Sequence, residues 1–69
     1  MSIAIERRIL DLLAANSDLT SAELGEAVGL SRVSARRYLE HFVDRGLATV
    51  RLNYGNAGRP ERRYRATRR

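Results

Sequence analysis

Near the middle of the chain, two helical patterns are separated by only three residues, Gly29-Leu30-Ser31. Upstream of this break, Thr20 and Glu23 carry the spacing of a capping box, in which each side chain bonds the other's free backbone N–H. Leu19 before that cap and Leu24 after it are placed for a hydrophobic staple. Gly29 stands where a left-handed C-terminal cap belongs, so this helix is short. Ser31 is the natural N-cap of the next helix, which runs to about Arg45 and stops at Gly46. Two helices joined this tightly must turn sharply against each other.

The flanks complete the pattern. From Ile3 to Ala15, Ile5, Ile9, Leu12 and Leu13 recur at helical spacing, with Glu6, Arg7 and Asp11 mainly on other faces. Asn16, Ser17 and Asp18 read as a loop. In the helix after Ser31, Ala35, Leu39 and Phe42 share one face, with Tyr38 and Val43 beside it. Val33, Arg37, Glu40 and Asp44 point the other way, near Ser34, Arg36 and His41. The period then changes from helical to alternating. Ala48, Val50, Leu52 and Tyr54 fall on one side of a strand, and Thr49, Arg51 and Asn53 on the other. The run Gly55 to Pro60 is a turn rich in breakers. Beyond it, Tyr64 and Ala66 alternate with Arg63 and Arg65 as the returning strand, and Thr67 to Arg69 fray. The expected fold is mainly α with a small β-hairpin. Three helices and a two-stranded wing make a winged helix-turn-helix, a single domain over residues 1–69.

Charge narrows the function. The net charge is +5, and all 13 basic residues are arginine. Residues 1–30 hold two arginines against five acids, whereas residues 31–69 hold eleven against three. This lopsided basicity points to a polyanion on one face. With no cysteine, disulfides and thiolate metal sites are excluded, and the lone His41 has no partner at ligand spacing. No nucleophile–base pair, paired carboxylates or phosphate-cradling glycine loop is evident. An enzyme is therefore not expected, and no cofactor or small-molecule ligand is called for. No apolar run reaches membrane-span length and no signal peptide opens the chain, so the expected setting is the cytoplasm.

In a helix-turn-helix, the second helix enters the major groove and its N-terminal residues meet base edges. Here those residues are Ser31, Arg32, Val33, Ser34, Arg36 and Arg37. Arginine bonds guanine bidentately, and Val33 suits a thymine methyl. Ser21 and Ser31 add hydroxyls where helix N-termini offer free N–H groups to phosphate. Ser31 also serves as a cap, and Arg36, close to the core edge, has an acid of the first helix as its alternative partner. Glu40 and Asp44 are read as solvated or paired with nearby arginines, Tyr38 and Phe42 as core, and His41 as surface. On the hairpin, Gly58-Arg59-Pro60 sets one long cation on a rigid tip, suited to the negative potential of a minor groove. Arg51, Arg62, Arg63 and Arg65 line the same ribbon toward backbone phosphates. The plain alternative is an edge hairpin whose arginines deter strand-to-strand aggregation. Arg68 and Arg69 read as a charged tail.

The run Gly29-Leu30-Ser31-Arg32-Val33-Ser34-Ala35-Arg36-Arg37-Tyr38-Leu39-Glu40, followed by Tyr54-Gly55 and Gly58-Arg59-Pro60-Glu61-Arg62-Arg63-Tyr64-Arg65, closely resembles a known family. It is similar to the C-terminal winged helix-turn-helix output domain of bacterial response regulators that control citrate, malate or fumarate use. The likeness is best from Ser21 to Arg65, and Ser34 stands where that family is expected to carry threonine. The resemblance implies double-stranded DNA as partner and transcription regulation as function. It also implies a domain that normally follows a phosphorylatable receiver, for which these 69 residues have no room. The chain thus corresponds to the output domain alone, either excised or as a stand-alone relative. Related regulators gain affinity as a homodimer on paired half-sites. Two rival readings remain. A winged helix used as a protein–protein docking module would bind an acidic protein surface. RNA binding would call for exposed aromatics to stack on bases, whereas Tyr38, Tyr54 and Tyr64 fall at core-facing parity.

Overall fold

A computed structural model of the chain describes residues 2–16, 18–54 and 60–67. Its elements run α1 (Ile3–Ala15), α2 (Ser21–Val28), α3 (Arg32–Asp44), β1 (Ala48–Tyr54) and β2 (Pro60–Ala66). Each helix start follows from a side-chain cap. Ser2 Oγ accepts from Ile5 N–H at 3.5 Å, and Ser31 Oγ accepts from Ser34 N–H at 3.1 Å. Thr20 and Glu23 make the reciprocal pair, at 3.1 and 2.9 Å. Such caps satisfy donors that have no partner inside the helix.

The turn between α2 and α3 is as tight as the sequence requires. Gly29 has φ +76°, a left-handed conformation that lets its N–H return to the Gly25 carbonyl. Leu30 N–H reaches the same carbonyl at 2.8 Å. Gly25 itself allows this approach, because a Cβ there would stand 2.6 Å from the Leu30 carbonyl oxygen. Nothing local in the sequence marks this close-packing role, since helix propensity alone disfavours a glycine there.

The core is one cluster: Ile9, Leu13, Leu24, Ala35, Leu39, Phe42, Ala48 and Tyr64. All three helices and both strands contribute to it. The strands pair antiparallel in a register running from Ala48 opposite Ala66 to Tyr54 opposite Pro60. The returning strand therefore begins at Pro60, which the sequence placed in the turn; a first strand position tolerates its missing N–H. The expected tip, from Gly55 to Arg59, lies outside the described residues.

Two findings modify the expected hairpin. Leu19, placed for a hydrophobic staple with Leu24, also pairs with Tyr64 through two backbone hydrogen bonds of 2.8 Å. The wing is thereby tied to the chain leading into α2. Tyr54, expected to face the core, is 71% exposed, and Leu52 is exposed as well. Their parity is that of the core-facing side, but among the described residues neither side chain is covered. Strand alternation decides which face a side chain takes, and only the neighbouring layer decides whether that face is covered.

Candidate nucleic-acid interface

α3 owes its position to the buried stripe of Ala35, Leu39 and Phe42, which turns its opposite side outward. Val33 is 65% exposed there, although a β-branched apolar side chain gains nothing from water. Arg32, Arg36 and Arg37 are exposed, and Arg36 forms no ion pair with α1 among the described residues. Val33, Arg36 and Arg37 line a shallow groove of about 420 Å³ along α3, which continues past Glu40 and His41 to Asp44. The groove is basic at its start and acidic at its end.

A second concavity, of about 640 Å³, joins the three elements expected to meet nucleic acid. Ser21 at the first turn of α2, Arg32, Val33 and Arg36 on α3, and Pro60, Glu61 and Arg62 on β2 share its walls. Thr20, Ser21 and Ala22 bring the N-terminal turn of α2 to it, and a helix N-terminus is a favourable end for a phosphate. Ser31 is exposed next to it and keeps its hydroxyl on the cap, while Ser34 is half-buried on the first turn of α3.

The wing arginines divide into two groups. Arg51 and Arg65 are exposed, and Arg51 makes only a 3.5 Å contact with Asp18 while keeping 65% of its side chain in solvent. Arg62 and Arg63, expected to face backbone phosphates, are instead half-buried and paired with carboxylates. Arg62 donates through Nε and Nη2 to Glu40 Oε2 at 3.2 and 2.9 Å. Arg63 binds Asp18 at 2.8 Å, Glu61 at 3.0 Å and Glu23 at 3.3 Å. The register explains the second cluster. Arg51 lies directly opposite Arg63, and two like charges at that spacing repel. Asp18, from the loop before α2, sits against both and offsets them. Arg59 lies outside the described residues.

Tyr64 closes the first cluster. Its ring is fully buried, while its hydroxyl donates to Glu40 Oε2 and accepts from Arg62 Nε at 3.1 Å. The Tyr64 hydroxyl chiefly, then Arg62 and the more distant Arg36, hold the Glu40 carboxyl below the usual carboxylate range against the opposing effect of burial. Burial first, and then the bond to Glu40, push the Tyr64 phenol above its ordinary value. Glu40 was expected to be solvated or paired with a nearby arginine. It is paired, with an arginine 22 positions away on the wing.

Three helices, a three-residue turn and an antiparallel ribbon beside an outward-facing α3 define a winged helix-turn-helix. The chain belongs to the winged helix-turn-helix DNA-binding family, whose model matches residues 4–49. It is 46% identical over 63 residues to the transcriptional regulatory protein CitT of Bacillus subtilis, covering 91% of this chain and 28% of CitT. It is 40% identical over 48 residues to the probable C4-dicarboxylate response regulator DctR of the same organism, covering 70% and 21%. Against the transcriptional regulatory protein CitB of Klebsiella pneumoniae it is 39% identical over 59 residues, covering 84% and 25%. The chain therefore spans less than a third of these curated relatives. Among solved structures, a MarR family transcriptional regulator from Silicibacter pomeroyi superposes with a TM-score of 0.74 at 25% identity, covering 94% of this chain and 42% of that one. A mutant MarR from E. coli gives 0.75 at 19% identity, over 97% and 47%, a likeness of fold. DNA binding is the function that this family's description names. Among the described residues no helix is long and apolar enough to cross a membrane.

Proposed function

We propose that this domain binds double-stranded DNA sequence-specifically, with α3 in the major groove and the wing arginine Arg59 near the adjacent minor groove. The observation that supports this reading is the concavity of about 640 Å³ shared by the start of α2, the basic half of α3 and the first residues of β2. Sequence preference comes from residues 32 to 37: Arg32, Arg36 and Arg37 toward guanine edges and Val33 toward a thymine methyl. Ser34 belongs to the same base-reading stretch, and Ser21, Ser31 and Arg51 supply phosphate contacts that fix orientation. The domain acts without catalysis, in the cytoplasm, as the output module of a bacterial two-component response regulator or of a stand-alone relative. The names of CitT and DctR favour such a regulator. One copy binds weakly, and two copies on paired half-sites gain affinity by linkage.

The test is fluorescence anisotropy of a labelled random-sequence duplex titrated against salt, with an RNA duplex of the same sequence as control. DNA binding that falls steeply with salt, and much weaker RNA binding, is expected for a phosphate-anchored domain. Failure to bind DNA even at low salt and high protein concentration would favour the protein-docking alternative.

A further inference from the structure

Glu40 occupies an unexpected place for an acid. It lines the outward groove of α3 together with Val33, Arg36 and Arg37, the side turned toward DNA in the reading above. A bare carboxylate there repels phosphate and opposes binding. Yet it receives three donors on a single oxygen: Arg62 Nε at 3.2 Å, Arg62 Nη2 at 2.9 Å, and the Tyr64 hydroxyl. The Arg62 guanidinium also lies over the Tyr64 ring, 5.8 Å from its centre. Both donor residues stand on β2, two positions apart and therefore on the same face of the strand. Arg63, between them, faces the other way and is held by Asp18 and Glu23 from the loop before α2 and from α2 itself. β2 is thus fastened from both faces, to α3 on one side and to the entry of α2 on the other.

We propose that Glu40 is a positioning residue for DNA binding: through Arg62 and Tyr64 it fixes the wing against the recognition helix, and Arg62 serves this lock rather than a phosphate. The inference rests on the DNA-binding reading above. Tyr64 is anchored by its buried ring and by its backbone pairing with Leu19, so its hydroxyl is a fixed point. Arg62 stands opposite Leu52, two pairs short of the last described pair, Tyr54 opposite Pro60. The lock therefore holds the ribbon on its outer side of the Tyr64–Leu19 pairing, where backbone bonds to the chain before α2 no longer hold it. An arginine committed to two bonds with Glu40 releases no counterion when DNA arrives. The acid, already neutralised, repels little.

The two roles that Glu40 could play predict opposite signs. Simple charge requires that removing the carboxylate tighten DNA binding, equally for Glu40→Ala and Glu40→Gln. Positioning requires that Glu40→Ala weaken binding by about three- to tenfold, the factor expected from one lost hydrogen bond's worth of ordering. Glu40→Gln, which keeps an acceptor for Tyr64 and Arg62, stays near the parent. Each full-length variant is measured by anisotropy on a random-sequence duplex, at a temperature where circular dichroism shows it fully folded. Arg62→Met leaves the salt slope unchanged if Arg62 serves the lock, and lowers it by about 0.9 if Arg62 sits on a phosphate. Tighter binding by Glu40→Ala, equal shifts in both Glu40 variants, or that loss of slope would each overturn the proposal. Amide hydrogen exchange of the free protein reads the lock without DNA. Glu40→Ala should speed exchange across residues 48–54 and 60–66 while leaving α1 unchanged, and unchanged strand exchange refutes the lock. If the parent protein binds no DNA, the functional reading fails and the positioning role fails with it, whereas the exchange result still decides the lock.

Discussion

Gly25→Ala sets two physical effects against each other. Helix propensity favours alanine over glycine inside α2 by about 1 kcal/mol, which on its own predicts a more stable domain. The structure predicts the reverse. The new Cβ would stand 2.6 Å from the Leu30 carbonyl oxygen and 3.3 Å from that of Ser31. Reaching ordinary contact at 3.4 Å requires a retreat of about 0.8 Å at the closer oxygen. Both obstacles are backbone, so no rotamer change relieves them. Movement of the turn also stretches the 2.8 Å bond from Leu30 N–H to the Gly25 carbonyl. Overpacking of this kind costs about 1–3 kcal/mol, and a clash with backbone belongs at the upper end. Set against the propensity gain, the net loss is about 2 kcal/mol. For a domain of this size, each kcal/mol lowers Tm by about 4–8 °C, so a fall of about 8–16 °C is expected. Urea and thermal unfolding followed by circular dichroism measure it directly. A variant as stable as the parent, or more so, would refute the argument from close approach. Because the displaced segment is the turn into α3, DNA binding should also weaken at temperatures where the variant remains folded.

The remaining predictions concern the interface and its pH dependence. Arg37→Ala should cost about 1–3 kcal/mol in binding to a selected operator and relax specificity at one base pair. Equal losses on selected and random duplexes would reassign Arg37 to phosphate. Arg59→Ala should weaken binding and reduce the salt slope by about 0.9, and an unchanged slope takes the wing tip out of the interface. Glu40 titrates below its unfolded value. Its contribution to stability is therefore complete above the ordinary carboxylate pKa of about 4.3 and is lost as pH falls from there through the lowered folded value. Tyr64 titrates above its unfolded value, so its contribution is complete below about pH 10 and is lost as pH rises through the raised folded value. Urea midpoints measured across pH should show a flatter acid limb in Glu40→Gln than in the parent. Superimposable acid limbs would remove Glu40 from the acid response.

The sequence determined the local structure almost completely, because caps, glycine stops and periodicity act over a few residues. Thr20 with Glu23, Ser31 and Gly29 set the helix ends that the structure shows, and the alternation from Ala48 set the strand faces. The lopsided arginine content and the outward start of α3 are what the sequence contributes to the proposed interface. Tertiary structure decided what depends on residues far apart in the chain. Arg62 and Arg63 are adjacent, identical residues in a basic run. Glu40 lies 22 positions from the first, and Asp18 lies 45 from the second. Charge attraction has no sequence period, so only the fold brings those carboxylates within reach. The same holds for Leu19 against Tyr64, for Gly25 against the Leu30 carbonyl, and for the solvent around Tyr54. In each case the residue's own tendency is local, but what stands beside it is fixed by how helices and ribbon pack.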